Sequence, residues 1–108
     1  SIKFKNTDEL EIFCISPDQI DKVESKIDFF HNANSFVEMN EKIIKNYVNK
    51  IDSKLSKINS TISLISYSNF NSDTTINPEK LPNFFNRKAE KLLLPTLIPN
   101  KFNYHFIM

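Results

Sequence analysis

The sequence predicts an α+β domain, and three observations lead there. Apolar residues alternate with polar ones at both ends of the chain. Between them runs a long stretch whose apolar residues recur every three or four positions. Ser-led capping signals, S-P-D-Q at 16–19 and S-F-V-E at 35–38, divide that stretch into helices. Strands at the termini with helices between them suggest that the two ends share one sheet.

Taken in order, residues 1–15 read as an N-terminal β-hairpin. Ile2 and Phe4 alternate with lysines, Leu10, Ile12 and Cys14 alternate with Glu11, Phe13 and Ile15, and Asn6 to Glu9 supply turn chemistry. Ser16 caps a first helix expected over 17–31, with Pro17 at its first position and Ile20, Val23, Ile27 and Phe30 on the buried stripe. Asn32 to Asn34 interrupt it, and Ser35 with Glu38 starts a second, antiparallel helix.

That second helix is the most strongly patterned element. Val37, Ile44, Val48, Ile51, Leu55 and Ile58 face one way, and Ile62 and Ile65 continue the spacing, so the helix is expected to run through about Tyr67. The competing division ends it near Asn59-Ser60-Thr61 and reads the β-branched residues after them as a strand. Residues 68–80 are loop by composition. Pro82 opens a third, short helix with Phe84, Phe85, Lys88, Ala89, Leu92 and Leu93 on one face, and Pro95 stops it. Phe102, Tyr104 and Phe106 alternate in a C-terminal strand that joins the sheet.

The chain of 108 residues fits one small domain, 1–108, able to build a core without metal or disulfide. It contains no glycine. This excludes every glycine-dependent motif, including the P-loop, the dinucleotide fingerprint, the nucleophile elbow and the usual calcium loop. Positions that need positive φ fall to asparagine, with Asn32, Asn34, Asn59, Asn71 and Asn100 as candidates. Asn, Lys, Ile, Phe and Tyr make up half the chain, the signature of an AT-rich gene. There is no long apolar run, and the acidic start lacks the apolar segment of a signal peptide, so a cytoplasmic protein without a membrane span is expected.

Catalytic candidates are few. Cys14 lies in Ile12-Phe13-Cys14-Ile15, where a buried, inert thiol is the usual occupant. His31 and His105, with a nearby lysine, could form an acid/base pair for cleaving RNA, although their spacing carries no information. No clustered ligand set suggests a metal, and no cofactor is expected.

The charge pattern is more organised. Residues 1–41 carry a net −5 and residues 42–108 a net +6, which together give the stated +1. The lysines of the second half fall on several helix faces, and arginine occurs once, which argues against nucleic-acid binding. Asp21, Glu24 and Asp28 are spaced to share one stripe of the first helix, with Asp18 and Glu11 close by in sequence. Such a stripe either faces solvent or docks a basic protein.

The expected function is therefore a small, non-catalytic protein-binding domain that covers a partner. Its most concrete form is a monomeric immunity- or antitoxin-type protein blocking a basic, nuclease-like toxin through Glu11, Asp18, Asp21, Glu24 and Asp28. The alternatives are a small ribonuclease using the histidine pair and a helical assembly component joined through the second helix.

Overall fold

The computed structural model describes residues 1–68 and 76–108. Its architecture is α+β, with, among the described residues, one four-stranded mixed sheet packed against a single α-helix and three short 3-10 turns. The strands are β1 (Phe29–Ala33), β2 (Thr61–Tyr67), β3 (Glu90–Pro95) and β4 (Phe102–Ile107), in the order β1-β2-β4-β3. β1 and β2 run parallel, while β4 pairs antiparallel with both β2 and β3.

This overturns the expected order of elements. The N-terminal hairpin does not form: Ile2 makes one isolated bridge to Val23, and residues 3–15 are irregular. A small tie closes this segment, with Phe4 edge-on to Phe13 at 4.9 Å and the Lys5 amide donating to the Glu11 carboxylate at 3.0 Å. Leu10 and Ile12 are left exposed. Cys14 is exposed too, rather than buried. The alternation in this segment is real, but no neighbouring strand lies beside it to complete a ladder.

The first helix is one 3-10 turn, Pro17–Lys22. Its start matches the expected box, since the Ser16 amide donates to Gln19 Oε1 at 2.9 Å. Beyond it, Phe29-Phe30-His31 becomes β1, because aromatic residues gain more from pairing with β2 than from one more helical turn. The second capping box is absent. Ser35 makes no cap, and residues 36–38 are a single 3-10 turn. The true N-cap is Asn40, whose side chain accepts from the Ile43 amide at 2.9 Å, and the helix α1 runs Glu41–Lys54.

α1 keeps the expected core stripe of Ile44, Val48 and Ile51, continued by Leu55 at its C-cap. It then ends, because Leu55 turns extended and bridges Ile27. Ile58 lies 87% exposed, and Thr61–Tyr67 form β2. The long seam that an assembly through this helix would need is therefore not helical beyond Lys54. The third helix, expected to open at Pro82 and to stop at Pro95, is instead the 3-10 turn Pro78–Phe84 with Pro82 inside it, and Glu90–Pro95 is β3. Of the expected loop over 68–80, residues 69–75 lie outside the described residues.

The core sits on one face of the sheet. Ile62 and Leu64 of β2 and Phe106 of β4 meet Ile44, Val48 and Ile51 of α1, with Phe36, Val37, Leu81 and Phe85 from the turns and connections. The sheet faces follow from register. Phe30, Ile62, Leu64, Tyr104 and Phe106 point to the core, while Phe29, His31, Ser63, Ile65, His105, Ile107, Glu90 and Leu92 point the other way. Of the asparagines considered for positive φ, Asn34 (φ 62°) and Asn100 (φ 61°) adopt it. Asn32 and Asn59 do not, and Asn71 lies outside the described residues. No helix among the described residues is long and apolar enough to cross a membrane.

Candidate functional site: an apolar cavity and a His–Ser–His cluster

Two features on opposite faces of the sheet can do chemistry. The first is an apolar cavity of about 240 Å³. Pro17 and Ile20 form one wall, Phe30 of β1 and Phe36 a second, and Tyr47 and Ile51 of α1 the third. Ser16 and the pair Asn32 and Ser35 contribute the polar lining. These two are occupied with each other and with the backbone, since Asn32 Nδ2 donates to Ser35 Oγ and Asn32 Oδ1 accepts from the Phe36 amide. A cavity with apolar walls and internally satisfied polar groups suits a hydrocarbon or aromatic side chain.

The turn that walls this cavity carries Asp18 and Asp21, both exposed. A hydrogen bond from the Ser16 side chain holds the Asp18 carboxyl below its ordinary value of 3.8, helped by a backbone hydrogen bond and the nearby Lys50 ammonium. Asp18 is thus ionised throughout the neutral range. Asp21 accepts from Lys50 Nζ at 2.9 Å.

The remaining acidic candidates are not brought together with these two. The stripe that was to align Asp21, Glu24 and Asp28 needs a helix over 17–31, and the helical turn stops at Lys22. Glu24 pairs with Lys3 at 3.7 Å. Glu11 holds the Lys5 amide. Asp28 precedes β1, and its carbonyl accepts from the Thr61 amide. The structure thus leaves Asp18 and Asp21 on the turn that walls the cavity, outside its lining, and disperses the other three.

The second feature brings together the two histidines considered as an acid/base pair, around a serine that the sequence does not single out. His31 Nδ1 lies 3.0 Å from Ser63 Oγ, and His105 Nε2 lies 2.8 Å from the same oxygen. Register explains the meeting. Ser63 stands directly beside His31 on the parallel strand, and His105 is its diagonal neighbour on β4, two residues from the directly paired Ile107. Ser63 is buried, His105 half-buried and His31 exposed, its ring stacked on Phe29 at 6.4 Å with 5° between the planes. The histidines are separated by β2 and by more than seventy residues of chain, so no sequence spacing could have joined them. A serine partner is equally invisible in a chain this rich in polar residues.

No group of three or more metal-ligating His, Cys, Asp or Glu side chains occurs among the described residues. No protein-family model, characterised protein or solved structure matches this chain.

Proposed function

We propose that the protein is a protein-binding domain that covers a basic partner, in its concrete form an immunity- or antitoxin-type inhibitor of a nuclease-like protein. The observation that carries this reading is the cavity of about 240 Å³ whose wall is the turn bearing Asp18 and Asp21. An apolar hole beside carboxylates fits a partner segment in which a large apolar side chain is flanked by lysine or arginine. The apolar anchor supplies the affinity, because burial in a fitted pocket is where interface energy concentrates. The carboxylates supply speed and selectivity, since exposed charge mainly steers encounter. Lys50 holds Asp21 in place until a partner cation competes for it.

The test is capture from lysate of the cell that makes the protein, with wild type and three variants side by side. The expected catch is a protein of high pI that is lost with Ile20→Lys, which fills the cavity with charge. With the double change Asp18→Lys and Asp21→Lys it should associate more slowly and lose its salt dependence. Lys57→Glu, on the exposed connection after α1, should leave capture unchanged. A captured protein that is acidic, or one indifferent to both the cavity and the carboxylate changes, would sink the reading.

A further inference from the structure

We propose that Ser63 is a nucleophile with His105 as its general base, and that this site takes up the acyl group of an uncharged carboxylic ester on the sheet face opposite the partner cavity. Hydrogen-bond arithmetic comes first. A serine hydroxyl has one hydrogen, and a neutral imidazole has one N–H and one lone pair. Ser63 Oγ bridges two imidazole nitrogens at 2.8 and 3.0 Å, so one ring accepts its hydrogen while the other donates to its lone pair. In this proposal the acceptor is His105, which makes the shorter contact and is half-buried. His31 then donates Nδ1–H and holds the oxygen from the exposed side. A hydroxyl within 3 Å of an imidazole lone pair is the nucleophile–base contact from which covalent catalysis starts.

The step balances without a cofactor. Ser63 Oγ attacks the ester carbon as its proton passes to His105 Nε2. The tetrahedral intermediate collapses, the C–O bond to the leaving group breaks, and the leaving alkoxide takes that proton from His105. The acyl group now sits on Ser63. Water, giving its proton to the same imidazole, releases the acid and restores the hydroxyl. His31 is a positioning residue in this scheme.

Charge selects the substrate class. The strand residues on this face include no lysine or arginine, and Glu90 lies in the same cross-strand row as Ser63. A phosphodiester would meet the Glu90 carboxylate and no strand lysine or arginine, which disfavours RNA as the substrate of the histidine pair. Ile65, Leu92 and Ile107 surround the cluster instead and suit a short apolar acyl chain.

Incubation of the folded chain with p-nitrophenyl butyrate tests this, read by nitrophenolate release, intact mass and peptide mapping. One butyryl group on Ser63 is expected. Acylation should vanish in Ser63→Ala and fall about 100-fold in His105→Gln, both with unchanged circular dichroism. His31→Ala should slow it about tenfold, and His31→Asn, whose amide donates from a similar position, should restore it. Bis(p-nitrophenyl) phosphate should not react. Mapping of the wild-type protein decides the matter even if a variant fails to fold. The absence of both nitrophenolate release and an acyl group on Ser63, release that persists in Ser63→Ala, or faster reaction with the phosphate diester would overturn the proposal.

Discussion

The Tyr104 hydroxyl donates to the Glu79 carboxylate at 3.0 Å, tying the 3-10 turn Pro78–Phe84 to the central strand β4. Lys91 of β3 closes the group, with Nζ 3.3 Å from Glu79 and 4.9 Å from the centre of the Tyr104 ring. One carboxylate thereby fastens a turn to two strands. The tie moves both acidities, for the Tyr104 and Lys91 hydrogen bonds hold Glu79 below its ordinary 4.5, while the bond to Glu79 holds the Tyr104 phenol above 10.0.

The tie should fail on both sides of neutral. A depressed glutamate contributes stability above its unfolded value and loses it as pH falls through the lower folded value. A raised tyrosine contributes below its unfolded value and loses it as pH climbs through the higher folded one. Thermal unfolding from about pH 3 to about pH 11 should show wild type falling more steeply than Glu79→Gln below about 4.5 and above about 10. Parallel curves would refute the linkage.

Ile58 and Ile62 decide between one long helix and a helix followed by a strand. On the strand geometry, Ile62→Ala empties a fully buried site and should cost about 2–5 kcal/mol in urea unfolding. Ile58→Ala, at an exposed site, should stay within about 0.5 kcal/mol. Equal losses would favour the continuous helix.

The start of α1 can be located in the same way. Asn40→Ala removes the side chain that accepts from the Ile43 amide and should cost about 1 kcal/mol. Glu38→Ala should be silent within about 0.5 kcal/mol, because the box it would complete with Ser35 does not form.

Asn34 and Asn100 replace the glycines that the chain lacks. Alanine at 100, with φ held near 61°, should cost about 1 kcal/mol. Glycine at 34 should do better than asparagine, for Asn34 Oδ1 is buried without a hydrogen-bond partner. Removing that oxygen spares roughly 1–3 kcal/mol, against about 1 kcal/mol of added backbone entropy. Denaturation midpoints of the two variants beside wild type settle the sign.

The contrast between the two candidate sites shows what local pattern can carry. Asp18 and Asp21 were visible as acids at a helix start, and the Ser16/Gln19 box placed that start correctly. The cavity beside them was not visible, because its walls come from four separate segments. Glu24 and Asp28 were misplaced for a definite reason. Their spacing implies a shared stripe only if the helix continues, and Phe29-Phe30-His31 found a better partner in β2. The same override converted Thr61–Tyr67, where Ile58, Ile62 and Ile65 keep helical spacing while Ile62 and Leu64 also satisfy the period of a buried strand face.

By itself the sequence determined the α+β class, the exclusion of glycine-dependent chemistry, the stripe of Ile44, Val48 and Ile51, and the alternation of Phe102, Tyr104 and Phe106. Each of these depends on residues close in the chain or on composition, so local periodicity suffices. Only the tertiary structure decided which ambiguous segments became strands and which side chains meet. Strand pairing is a non-local choice, and its register alone carried His31, Ser63 and His105 to one oxygen.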